Sequence, residues 1–187
     1  MTRLTYFAGV SLDGRIAGPN DDLSYLRTFD IPEGEYNLWS LARSFDSMIA
    51  GAGTFRYMAR ELGQGRGEYP DWPYGDTPLW VMTHATEIPR VRGAVLHLAS
   101  GDPAAVLDEI RATGAERTWL IGGANLAGQF FERDLVDELI LGYTPTVLGS
   151  GPSLAEGSFP FRTFELADVH RHGSGVTLKY ERVRSSP

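Results

Sequence analysis

The sequence predicts an α/β fold: a three-layer sandwich around a mixed, mostly parallel sheet that ends in an antiparallel hairpin. Two observations lead there. Through the first two thirds of the chain, short apolar β-rich runs alternate with segments of helical spacing, the signature of parallel βαβ units. After Glu132 the helical spacing stops, and strand-like runs succeed one another across Gly/Pro/Ser loops, as an antiparallel hairpin requires. At 187 residues the chain suits one domain with a core large enough to need no staples.

The elements follow in order. Leu4 to Val10 is β-rich and ends in turn residues. Glu33 to Phe45 places Tyr36, Leu38, Trp39, Leu41, Ala42 and Phe45 at helical spacing behind Pro32, so a helix is expected. Asp46 to Ala50 is a short apolar strand bounded by Gly51, and Leu79 to Met82 a buried strand behind Pro78. Ala94 to Leu98 is a further strand. Asp102 and Pro103 then give a helix its N-cap and first residue, with Val106, Leu107 and Ile110 on one face and an end near Gly114. Thr118 to Ile121 is a strand stopped by Gly122-Gly123, and Ala124 to Glu132 a helix. Leu135 to Tyr143, Thr163 to His170 and Val176 to Val183 are the late strands. Gly63 to Asp76, dense in glycine, proline and aromatics, reads as a surface loop.

Composition excludes several classes of function. Lys plus Arg number 17 against 24 Asp plus Glu, a formal charge of −7, so the basic footprint of a nucleic-acid binder is missing. The chain has no cysteine, which removes disulfides, thiolate metal sites and cysteine nucleophiles together. His97, His170 and His172 show no metal-ligand spacing; His170 and His172, two apart near a strand end, read as surface residues, and no metal is expected. Asp13 interrupts the short N-terminal apolar run, no segment approaches the ~18 apolar residues of a membrane span, and the cytoplasm is the expected compartment. Asp21-Asp22, Asp134 and Asp137-Glu138 fall in loops or at element ends and read as solvated caps.

Three strand ends carry the chemistry. Trp119-Leu120-Ile121-Gly122-Gly123-Ala124-Asn125 runs from a buried strand through two glycines straight into a helix, where close backbone approach and uncapped amides attract an anion. Met48-Ile49-Ala50-Gly51-Ala52-Gly53-Thr54 repeats that plan and adds a hydroxyl. Val81-Met82-Thr83-His84 leaves a third buried strand with a hydroxyl and an imidazole that can protonate; a polar loop would look the same. Neither glycine junction has the spaced triple-glycine dinucleotide fingerprint or the Gly-Lys-Ser/Thr of a phosphate loop. Two anion-friendly junctions beyond the carboxyl ends of one sheet suit a ligand with separated phosphates.

Taken in order, Ser11-Leu12-Asp13-Gly14-Arg15-Ile16-Ala17, Gly51-Ala52-Gly53-Thr54, Leu120-Ile121-Gly122-Gly123-Ala124 and Val136-Asp137-Glu138-Leu139 with Pro145-Thr146-Val147-Leu148-Gly149-Ser150-Gly151 span almost the whole chain. The series resembles the dihydrofolate reductase superfamily, in particular the branch holding the reductase domain of riboflavin biosynthesis, the RibD C-terminal domain. The resemblance implies NADPH bound across the sheet and hydride transfer to a small heterocyclic or carbonyl substrate, pterin-like or ribosylaminopyrimidine-like. On it, Gly51, Gly53 and Thr54 face cofactor phosphates, and Gly122, Gly123, Ala124 and Asn125 cradle the pyrophosphate from the other side. Thr83 and His84 lie by the 2′-phosphate, with Arg56 the nearest cation, and Ala8, Gly9, Ile16 and Ala17 line the nicotinamide. The late strands around Leu139 to Thr146 resemble the family's dimerising region, which implies a twofold homodimer.

Two departures qualify the resemblance. Dihydrofolate reductases hold the pterin with an acid early in the first long helix. Counting back from Gly51 makes Glu35 the catalytic candidate, yet Pro32-Glu33-Gly34-Glu35-Tyr36 differs from that motif, and both carboxylates equally suit a solvated first turn. A chain without cysteine also lacks the zinc ligands of the riboflavin deaminase half, so only the reductase step is expected. No obligatory proton donor stands out. The other reading is a non-catalytic ligand-binding protein that keeps the fold. Around Tyr69, Trp72 and Tyr74, the aromatics suit either a lid over a planar substrate or a loop packed on itself.

Overall fold

A computed structural model describes residues 2–28, 34–62 and 72–183; Pro32, Glu33 and Tyr69 fall outside them. The elements are β1 (Arg3–Val10), α1 (Leu38–Ala42), β2 (Ser47–Gly51), α2 (Ala52–Leu62), β3 (Leu79–Met82), β4 (Leu96–Ala99), α3 (Pro103–Ala112), β5 (Arg117–Gly122), α4 (Ala124–Glu132), β6 (Glu138–Tyr143), β7 (Phe164–His172) and β8 (Gly175–Arg182). One eight-stranded sheet takes the order β4-β3-β2-β5-β1-β6-β8-β7. The six strands from β4 to β6 are mutually parallel, and β8 and then β7 close the edge in antiparallel pairing. That is the expected mixed sheet.

Alternation along β1 divides the core into two layers. Leu4, Tyr6 and Val10 meet Val106, Leu107 and Ile110 of α3 and Leu126, Ala127 and Phe130 of α4. Phe7 faces the other way, into Leu41 and Ala42 of α1, Phe55 and Met58 of α2, and Phe45 and Trp119. Helices on both faces explain why the parallel strands read as nearly continuous apolar runs. Asp102 caps α3 as expected, its carboxylate accepting from Ala104 N at 2.9 Å.

Where the structure departs from expectation, tertiary contacts decide. The helix expected over Glu33 to Phe45 is only Leu38–Ala42: the Asn37 side chain accepts from Trp39 N at 3.0 Å and starts the helix late. Tyr36 lies instead in the turn before it, buried, its hydroxyl donating to Asp168 Oδ2 at 2.5 Å. His172 is not a surface residue. It is 6% exposed and exchanges a hydrogen bond with Thr177 at 3.0 Å, and burial pushes its pKa down. Trp72 and Tyr74 pack inward. Their rings lie 5.0 Å apart, and Tyr74 packs edge-on to Trp119, so these two residues belong to the core and not to a lid.

The largest correction concerns Glu138. It is a buried residue and not a solvated cap, because the registers Thr5↔Glu138 and Glu138↔Glu181 set it inside the sheet. There Oε2 meets Arg3 Nη2 at 2.9 Å and Lys179 Nζ at 3.2 Å, and Oε1 accepts from Thr5 Oγ1 at 3.0 Å. Removing one partner of a buried ionic network strands the others without compensation. Glu138→Ala is expected to cost about 2–4 kcal/mol and Glu138→Gln roughly half as much, read as the shift of the urea midpoint at constant slope. An unmoved midpoint in Glu138→Ala would contradict the network's role.

Candidate functional site

Because β2, β3, β4 and β5 are parallel, their carboxyl ends open on one side, and a cleft of about 710 Å³ crosses them. Gly51, Gly53 and Thr54 line it from the β2–α2 junction, and Gly123, Ala124 and Asn125 from the β5–α4 junction. The two junctions touch: Ala50 pairs with Gly122, and a Cβ placed on Gly123 would lie 3.3 Å from Thr54 Oγ1. No side chain caps α4 at Gly123, so its first-turn amides open on the cleft. The Gly122–Gly123 peptide is cis. Thr83 and His84 line the cleft after β3, and Ser100 and Gly101 join them after β4. Thr83 Oγ1 accepts from Ala85 N at 3.0 Å, which leaves the hydroxyl proton available for a ligand.

The opposite wall is Ile16, Ala17, Asp21, Leu23, Pro152 and Glu156, with Tyr57 from α2. A carboxylate latch fixes it. Asp13 Oδ1 accepts from Ser11 Oγ at 2.7 Å and Leu148 N at 3.0 Å, and Oδ2 accepts from Gly149 N at 2.8 Å. Ile16 N donates to Pro152 O at 3.1 Å, and Arg15 Nη1 to Gly151 O at 2.8 Å. Gly151, at φ +119, comes so close that a Cβ would lie 2.1 Å from Ala17 O. The Ser-Leu-Asp-Gly and Pro-Thr-Val-Leu-Gly segments are thus two halves of one wall.

Four of the expected cofactor residues and the catalytic candidate lie elsewhere. Ala8 and Gly9 are inside β1, away from the lining; Leu26 covers Gly9, where a Cβ would come 2.4 Å from Leu26 Cδ2, and the Tyr25 hydroxyl donates to Gly9 O at 2.9 Å. Gly122 ends β5 just behind the lining, at φ +107. Arg56 projects from the exposed side of α2, and Glu35 is exposed in the turn before α1. Sequence reasoning missed Asp21, Leu23, Tyr57 and Glu156, which carry no local signal. Ser100-Gly101 did carry one, since it is a strand end followed at once by a capped helix.

A parallel sheet with helices on both faces, an antiparallel edge and a cleft along its carboxyl ends defines a reductase-like α/β fold of the dihydrofolate reductase type. The chain belongs to the RibD C-terminal domain family, whose model matches residues 2–178. It is 26% identical over 176 residues to the uncharacterized protein YwjB of Bacillus subtilis (strain 168), covering 94% of this chain and 95% of that one. Among solved structures it is similar to a Shewanella sp. PV-4 protein assigned to riboflavin biosynthesis, with TM-score 0.83 and 24% identity over 98% of this chain and 100% of that one. It is also similar to the deaminase/5-amino-6-(5-phosphoribosylamino)uracil reductase of Thermotoga maritima, with TM-score 0.74 and 13% identity over 97% of this chain and 57% of that one.

The latch has a pH signature. Hydrogen bonds from Leu148 N–H, then the Ser11 hydroxyl, lower the Asp13 pKa from 3.8 to about 2. A depressed folded pKa means that the latch is complete above pH 4 and is lost as pH falls through 2. Protection factors for amide exchange at Leu148 and Gly149 are therefore expected to fall across that window in the wild type and to be low at every pH in Asp13→Ala; equal protection in both proteins at pH 6 would refute the latch. Gly151→Ala, strained by its φ and blocked by Ala17 O, is expected to cost about 2 kcal/mol in thermal unfolding.

Proposed function

We propose that the protein is a nicotinamide-dinucleotide-dependent reductase of a small heterocyclic or carbonyl compound, with NADPH as the preferred cofactor. The observation that carries this reading is the convergence of two glycine-ended strands, each leading into a helix N-terminus, on one cleft of about 710 Å³. The residues fit such a group. Uncapped amides at Ala124 and Asn125 suit one phosphate, and the β2–α2 junction suits the other. At Gly53 a Cβ would meet nothing within 4 Å, so the backbone is open to a ligand there. When bound, the nicotinamide supplies the hydride.

What the chain itself supplies is position and exclusion of water. The first turns of α2 and α4 orient the pyrophosphate. Ile16 and Ala17, held by the Asp13 latch, offer the nicotinamide an apolar wall. Thr83 and His84 stand where a 2′-phosphate would find a hydroxyl proton and an imidazole, with Ser100 beside them in the lining. Arg56, outside the lining, is not part of this cluster.

Cofactor titration by protein fluorescence tests the proposal, followed by cofactor oxidation with pterin, flavin and pyrimidine acceptors. NADPH is expected to bind about ten- to a hundredfold tighter than NADH, the worth of one charge-assisted contact. His84→Ala should erase most of that preference and Arg56→Ala none of it. Gly53→Glu has room to fold and suits a helix N-terminus, yet it sets a carboxylate at the phosphate position; cofactor affinity should fall at least tenfold with unchanged thermal stability. Equal affinity for both cofactors in the wild type would sink the 2′-phosphate site, and no binding of either would sink the reading. Binding without turnover of any acceptor would favour a ligand-binding role.

A twofold homodimer is proposed as the working assembly. β6 is interior to the sheet, so its strand offers no edge; the exposed apolar side chains nearby are Val147 in the following loop and Leu166 and Val169 on β7. Light scattering at micromolar concentration should give twice the chain mass, and a monomer would refute it.

A further inference from the structure

We propose that residues 151–156 form a tie between the two walls of the cleft, and that Tyr6, buried beneath them, is the positioning residue that holds the tie in place. A ligand that lies against both walls then depends on Tyr6, and a ligand that touches one wall does not. The ligand half of this inference rests on the nicotinamide reading of the cleft.

Main-chain bonds anchor the segment at each end. Toward the wall of Ile16 and Ala17, Pro152 O accepts from Ile16 N at 3.1 Å, and Gly151 O from Arg15 Nη1 at 2.8 Å. Toward the β5–α4 junction, Glu156 N donates to Ala124 O at 3.0 Å. An extended chain covers ~3.6 Å per residue at most, so the four steps from Pro152 to Glu156 set these anchors no more than ~14 Å apart. Pro152 and Glu156 themselves line the cleft. A shift of the segment therefore changes the spacing between the apolar wall and the first turn of α4.

Tyr6 meets the middle of that span. It is fully buried on β1, and its hydroxyl donates to Leu154 O at 2.7 Å. Burial raises its pKa, so the phenol keeps the proton that this bond needs. The same hydroxyl lies 3.6 Å from the place a Cβ on Gly122 would take, behind the β5–α4 junction. One buried side chain thus backs the end of β5 and holds the tie as well.

Gly128 gives the tie a second seat. A Cβ there would lie 1.7 Å from Glu156 O, so the main chain of the tie rests directly on α4. Alanine favours a helix over glycine, so in Gly128→Ala the helix persists and the tie has to move.

The test compares NADP⁺ with 2′-phospho-ADP, which is the same molecule without its nicotinamide riboside and so lacks the part that would meet Ile16 and Ala17. Dissociation constants and amide-exchange protection are measured on the full chain. Tyr6→Phe keeps the ring and removes the hydroxyl. In it NADP⁺ should bind at least fivefold more weakly, and 2′-phospho-ADP within twofold of the wild type. Protection at the Ile16 and Glu156 amides, the two ends of the tie, should fall at least tenfold. Gly128→Ala, which leaves Tyr6 intact, should reproduce both effects. Thr2→Val removes a comparable bond, from Thr2 Oγ1 to Ala115 O at 2.6 Å, at the other end of the sheet; it should leave both ligands and both amides unchanged. Equal weakening of the two ligands in Tyr6→Phe, or weakening of neither, overturns the proposal. So does unaltered protection at Ile16 and Glu156. Failure of NADP⁺ to bind the wild type rejects only the nicotinamide reading, and protection at the two amides still decides the tie.

Discussion

The insertion of β5 between β1 and β2 is the constraint on which the site depends. Parallel pairing sets Ile49 opposite Leu120 and Ala50 opposite Gly122, with one register shift between them. That shift brings the two glycine junctions level at the strands' carboxyl ends. Side-chain direction along a strand has a period of two, so a slip of one residue would turn the apolar set away from its helices. The core on both faces therefore fixes the register, and the register fixes the cleft. At Gly123 the two junctions are in near contact, a Cβ there lying 3.3 Å from the Thr54 hydroxyl.

Three carboxylates show how placement assigns work to one chemical group. Asp13 is exposed, yet main-chain and hydroxyl donors hold it ionised far below its ordinary range and tie two distant loops into a wall. Glu138 is buried and answered by Arg3, Lys179 and Thr5, so its charge is spent inside the sheet. Asp21 lines the cleft, exposed, with no hydrogen-bond or ion-pair partner among the described residues. The first organises, the second stabilises, and the third stays open to solvent.

Much of this was legible in the sequence, for physical reasons that vary by element. The helix Ala124–Glu132 and its glycine entrance are written in adjacent residues, as is the Asp102 cap of α3, so local reading suffices. The parallel strands announce themselves because both faces are buried. Glu138 was misread because its partners, at positions 3 and 179, are brought near only by the sheet. The first helix was read too long because Tyr36 keeps the helical period while serving a turn, held there by Asp168 far along the chain. At the site, residues next to glycines were found, and so were Ile16 and Ala17 of the opposite wall, but not Asp21, Leu23, Tyr57 and Glu156. Gly9 lies outside the lining, with Leu26 covering the place a Cβ would take.

The outermost strand, β7, bears on how copies of this chain meet. An open edge of nine residues is an invitation to pair with another strand and so to aggregate. Here the ladder to β8 is broken between Leu166 and Asp168, and the strand carries Glu165, Asp168 and Arg171 into solvent. Such a kinked, charged rim is a poor template for continuing the sheet into a neighbouring molecule. Were copies of this chain to associate, such a rim would leave the contact to the faces of the sheet, where it can close on itself instead of propagating into a fibre.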